Sequence, residues 1–142
     1  MFEEWAAEPW LAVTGLAWVA LGSAVGGASR YFVSGLVARR MGETFPWGTM
    51  AVNVSGAFVI GIVAAFAQRH VAFELPDAWQ FAVVGILGSY TTVSSFSLQT
   101  LALARDGEYL RAGGNVLLSL VLCLSAVALG HAGGGAIGWG AP

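Results

Sequence analysis

GILGSYTTVSSF, Gly85 to Phe96, sets glycines and hydroxyls into a segment without charge: residues 78 to 104 contain no Asp, Glu, Lys, Arg or His. An apolar run of that length crosses a membrane, since a spanning helix needs about 20 residues. Yet Ser89, Tyr90, Thr91, Thr92, Ser94, Ser95 and Ser97 crowd its middle. Polar groups left unsatisfied in hydrocarbon are costly, so clustered hydroxyls are tolerated where they are buried in protein or face a solvated path. The run therefore predicts an ion or substrate site. Gly85 and Gly88 weaken a helix by backbone entropy, and the hydroxyls compete for its backbone groups, which predicts a break in the third helix. Unwound carbonyls at a break could bind a cation such as Na+. The alternative is a continuous helix whose hydroxyls bond back to carbonyls.

Working outward, the chain has 142 residues, is 57% hydrophobic and 10% charged, and has a mean hydropathy of +0.74, far to the apolar side of a soluble domain. Stretches free of Asp, Glu, Lys and Arg run over 11–29, 46–68, 78–104 and 112–132, and each can span a bilayer. The reading is an all-α integral membrane protein of four transmembrane helices, approximately 11–38, 46–68, 78–104 and 112–132, in a single domain 1–142. The opening MFEEWAAEPW has three Glu and no basic residue, unlike a secretory signal peptide, so the first helix is expected to be retained. A net charge of −2 without a basic stripe argues against nucleic acid as a partner. Cys123 is the single cysteine, which excludes an intramolecular disulfide and a thiolate cluster.

Trp5, Trp10, Trp47, Trp79 and Trp139 stand near helix ends, as in an interfacial belt, while Trp18 falls inside a span. Arg39, Arg40, Arg105 and Arg111 flank the first and third loops, against Arg69 in the second, a bias that places both termini outside. A bundle of four helices fills its centre with side chains, so any pore should lie between subunits. Gly22 with Gly26, and Ala57 with Gly61, supply small residues at the spacing that lets membrane helices approach closely.

Within the spans, Thr49 and Asn53 stand four apart on one face of the second helix. An amide at that depth must find partners: it either glues helices together or donates its NH2 group to an anion. Asn115, Ser119 and Cys123 recur every fourth residue and form one stripe on the fourth helix, with the same two readings. Arg30 follows Gly26, Gly27, Ala28 and Ser29, where a basic group must snorkel or line a wet vestibule. His70 and His131 have no metal-ligand spacing.

GGASRY at Gly26 to Tyr31, PWGTMAVNVSGAF at Pro46 to Phe58 and GILGSYTTVSSFS at Gly85 to Ser97 resemble, in order and spacing, the Fluc fluoride channel family, also called CrcB. The resemblance covers nearly the whole chain. It implies an antiparallel, dual-topology dimer in the bacterial inner membrane, with two fluoride pores at the subunit boundaries and a structural sodium ion at the centre. Carried over by position, the sodium ion would be held by the backbone carbonyls of Gly88 and Thr91 from both subunits. Asn53 would donate to fluoride with Thr49 lower on the same helix, Asn115, Ser119 and Cys123 would form a polar track, and Phe96 would present its ring edge to the anion. Three positions depart from the family pattern. Val93 replaces a phenylalanine and removes one aromatic edge from the pathway, whereas Asn115 for a tyrosine and Gln99 for an acidic residue keep hydrogen-bonding capacity.

Bare fluoride costs tens of kcal/mol to bring into low dielectric, so a pore must replace water's donors. Neutral donors and aromatic edges do so in several weak sites without trapping the ion. The expectation is a passive, fluoride-selective channel that lowers cytoplasmic fluoride, with fluoride and membrane lipid as partners. The subunits are expected to pair as an antiparallel homodimer, with an oppositely oriented paralogue left open by the Arg bias. The rival is a proton-coupled exporter of the small multidrug type, which needs an ionisable residue within the membrane; the apolar stretches contain no Asp or Glu. An enzyme with a serine nucleophile needs a base in reach, and both histidines fall outside the hydroxyl cluster, so no enzyme is expected.

Overall fold

The computed structural model describes residues 9–67 and 76–137, and among these every regular element is helical. Helix α1 is Pro9–Met41, 33 residues or about 50 Å at the rise of an α-helix. Helix α2 is Trp47–Ala67. The third segment is composite and is labelled α3 throughout: an α turn at Pro76–Trp79, π-helical turns over Gln80–Leu87, and a last α turn at Gly88–Tyr90. The chain becomes helical again as α4, Ser94–Arg105, and α5 is Tyr109–Ile137. The loop residues Arg69, His70 and Glu74, and Trp5 and Trp139, lie outside the described residues.

Among the described residues, three segments are long and apolar enough to cross a membrane: Trp47–Ala67, Pro76–Arg105 and Tyr109–Ala136. Their surface points the same way. Large apolar side chains such as Leu16, Phe32, Leu117, Leu120 and Leu129 are exposed, while the buried apolar residues, among them Met50, Val52 and Ala65, are few. In water such a surface would be untenable, because an exposed apolar patch of this extent is driven to cover itself. Hydrocarbon removes that drive, and the chain is a multi-pass membrane protein.

Two pairings build the bundle: α2 lies along α5, and α1 lies along the π-helical turns of α3. Helix α1 also touches α2, and α4 packs on α5. Contact between α1 and α3 is backbone to backbone. A Cβ at Gly22 would collide with the Phe81 carbonyl and one at Gly26 with the Ile86 carbonyl, so both small residues are used within the chain. Trp18 seals this seam edge-on against Phe81, with ring centroids 5.9 Å apart and planes at 80°. At the end of α3 the Gly88 N–H points to the carbonyls of Val83 and Gly85, a wide turn that delivers the chain to the polar stretch.

Candidate functional site

The helix ends at Tyr90, its last backbone bond running from the Thr91 N–H to the Leu87 carbonyl at 3.1 Å. Thr91 is extended, with φ −81° and ψ 160°, and α4 starts afresh at Ser94. In an unbroken helix the Thr92 N–H would serve the Gly88 carbonyl and the Ser95 N–H would serve that of Thr91. Neither does. The Thr92 N–H donates to Asn53 Oδ1 at 2.8 Å, and Asn53 Nδ2 donates back to the Thr92 carbonyl at 2.8 Å. The Ser95 N–H donates to Thr92 Oγ1 at 3.2 Å, so the Thr92 hydroxyl caps the first turn of α4 from one residue ahead of Val93, the residue at its N-terminal boundary. Thr92 is 8% exposed, so the bonds it makes are largely shielded from solvent. The carboxamide of α2 thus does for Thr92 what a helix would have done, as buried backbone groups require.

Neighbouring contacts hold the same stretch. The Tyr90 hydroxyl pairs with Ser55 Oγ at 2.9 Å, tying the end of α3 to α2. Arg30 Nη1 donates to the Thr91 carbonyl at 3.4 Å, and the Thr91 hydroxyl to the Leu87 carbonyl at 3.1 Å. Ser94 and Ser95 bring their hydroxyls to 3.2 Å and 3.3 Å from Thr92 Oγ1.

Three cavities meet at this point. The largest, about 480 Å³, is lined among others by Asn53, Gly88, Thr91, Thr92, Val93 and Cys123. A second of about 320 Å³ has Asn53, Thr92, Val93, Phe96 and Ser119 in its wall. Asn53, Thr92 and Val93 belong to both. A third of about 250 Å³ is bounded by Arg30, Tyr31, Thr49, Thr92 and Ser95, and Arg30 is the only charged residue in the three linings. The remaining polar groups are neutral donors or amphoteric hydroxyls.

The structure brings Asn53, Val93, Phe96, Ser119, Cys123, Gly88 and Thr91 together around adjoining cavities, with Thr49 in the third. Asn115 stands apart. It is 2% exposed and donates through Nδ2 to Thr100 Oγ1 at 2.8 Å, and Thr100 donates to the Phe96 carbonyl at 2.7 Å. Its link to the cavities runs through the backbone of α4. Val93 is 77% exposed and points outward from the chain. Sequence reasoning did not single out Thr92 from its hydroxyl neighbours, although Thr92 alone lines all three cavities. The signal available was its position three residues before Ser95, the spacing of an N-cap.

A family model described as CrcB-like protein, Camphor Resistance (CrcB), matches residues 17–131, from the first third of α1 almost to the end of α5. The chain belongs to the CrcB family. The "Fluoride-specific ion channel FluC 2" of Rhodopseudomonas palustris (strain BisB18) is 65% identical over 121 residues, covering 84% of this chain and 92% of that protein. A "Fluoride-specific ion channel FluC 2" from Bradyrhizobium diazoefficiens is 59% identical over 119 residues, 83% of this chain and 87% of the relative. The "Fluoride-specific ion channel FluC" of Methylocella silvestris is 50% identical over 115 residues, 80% and 88% of the two chains. The resemblance carried by the three sequence motifs is borne out, and CrcB membership sets the chain among ion channels rather than enzymes.

Proposed function

We propose that this chain is a passive, fluoride-selective channel that lets fluoride leave the cytoplasm across the bacterial inner membrane. One observation carries the reading: Asn53, clamped to Thr92, stands in the common wall of two cavities whose linings hold neutral donors and no charged side chain. A carboxamide nitrogen has two protons. The Thr92 carbonyl takes one, and the other is available to an anion. Ser119 and the Phe96 ring edge add weak donors further along, and Cys123 and Thr49 extend the polar surface. Asn115 supports Phe96 through Thr100. Several weak sites in series replace water's donors without holding the ion.

The pathway is completed, in this reading, by a second copy inserted upside down, with all four long helices, α1 included, crossing the bilayer. Support comes from Val93 and the two cavities lying at the chain's outer apolar surface. A paralogue of opposite orientation would serve equally, and the Arg bias leaves room for it.

A structural sodium ion fits the Gly88 and Thr91 carbonyls. Both oxygens have lost their helical donors to Asn53 and Thr92; Thr91 accepts a long bond from Arg30 at 3.4 Å, which leaves its carbonyl a second lone pair for an ion. When bound, such an ion supplies a positive charge that ties two interrupted helices together through hard oxygen ligands. The proton-coupled alternative lacks an acidic group inside the apolar segments, and no observation favours it.

The test is efflux from liposomes holding purified protein, followed with a fluoride electrode. Rapid fluoride release with chloride retained is the expected outcome. Chloride flux equal to fluoride flux would reject the selectivity, and flux that rises with an imposed proton gradient at constant fluoride would favour the exporter.

A further inference from the structure

We infer that Thr92 is a positioning residue that couples the sodium site to the anion pathway, an inference that rests on the sodium-bearing channel proposed above. Two diverted bonds carry it. By giving its N–H to Asn53 Oδ1 at 2.8 Å, Thr92 withholds from Gly88 the donor a helix would supply. By taking the Ser95 N–H on its hydroxyl at 3.2 Å, Thr92 withholds from Thr91 its helical donor as well. One residue therefore takes the helical donor from both carbonyls of the cation site, leaving Thr91 with only the long bond from Arg30.

The same residue orients the anion donor. Thr92 presents a C=O to the amide nitrogen of Asn53 and an N–H to its oxygen, so only one flip state of the carboxamide satisfies both. That state sends the uncommitted Nδ2 proton away from the clamp, between two cavities. Asn53 consequently has two duties. Its proton meets the anion, while its oxygen keeps the Gly88 carbonyl available to the cation. Removing the side chain should disturb sodium binding even though Asn53 does not touch the sodium ligands' oxygens.

The experiment measures sodium binding in purified, detergent-solubilised protein by the rise in thermal unfolding midpoint as Na+ replaces N-methylglucamine, alongside fluoride efflux from liposomes over the same series. Thr92→Val removes the hydroxyl at constant shape, Thr92→Ser keeps it, and Asn53→Ala removes the clamp. The half-maximal Na+ concentration should rise about tenfold or more in Thr92→Val and in Asn53→Ala. It should recover to within about threefold of wild type in Thr92→Ser. The thermal readout needs no conduction, so an Asn53→Ala channel that passes no fluoride is still informative. If Thr92→Val does not assemble, the Asn53→Ala and Thr92→Ser arms decide. Unchanged Na+ dependence in Asn53→Ala, with fluoride flux lost, would overturn the coupling while leaving the channel and its sodium ion intact. A wild-type protein indifferent to Na+ in both readouts would overturn the sodium reading itself, and the coupling with it.

Discussion

Asn53→Ala leaves the partly buried N–H and C=O of Thr92 without their side-chain partners. Each such loss costs about 1–3 kcal/mol. The variant should therefore unfold about 2–6 kcal/mol more easily, measured by thermal melts in detergent, and its fluoride efflux should fall about tenfold or more. Asn115→Ala removes one interior bond to Thr100 and should cost about 1–3 kcal/mol in the same melts, with a smaller effect on flux. The sequence made Asn53 and Asn115 conspicuous, because an amide in an apolar span has to be bonded to something. It did not distinguish them. Which amide faces a cavity and which is sealed between α4 and α5 depends on helix rotation, and a stripe of small and polar residues leaves rotation open. Thr92 was hidden for a related reason: among seven neighbouring hydroxyl-bearing residues, only three-dimensional placement tells which one caps a helix.

At the scale of elements, the apolar stretches announced helices because uncharged runs of that length have few other solutions in lipid. The π-helical turns of α3 were not legible. Gln80–Leu87 reads QFAVVGIL, and neither its hydropathy nor its residue types separate a π turn from an α turn. Its packing explains what the wide turns do: they set the Phe81 and Ile86 carbonyls against Gly22 and Gly26 of α1. Gly26→Val forces α1 away from α3, since a backbone carbonyl cannot give way as a flexible side chain could. Overpacking of this kind costs about 1–3 kcal/mol, and the variant should show that loss in thermal melts together with a broadened gel-filtration peak. Gly27, one residue along, faces open space, so Gly27→Ala is the matched control.

Considered whole, the chain is apolar outside and polar at a point where several cavities converge, an arrangement that makes sense in lipid and beside another chain. Val93 stands at that outer surface, in the wall of both cavities that Asn53 lines. Val93→Phe should add an electropositive ring edge there and raise fluoride efflux about threefold relative to chloride; unchanged selectivity would show that the valine costs the pathway nothing. A tag on either terminus should be accessible from both faces of the membrane if inverted copies pair, and from one face if a paralogue supplies the partner. Membrane character and family were legible in composition and in three motifs. The partner was not, because six basic residues spread over a whole chain decide orientation by a narrow margin. The open flank beside Val93 also has a genetic meaning. If the proposed path is walled by two copies of this chain, a damaged copy should be dominant: expressed beside a normal one, it would draw normal subunits into mixed pairs and leave a cell sensitive to fluoride while still making intact protein.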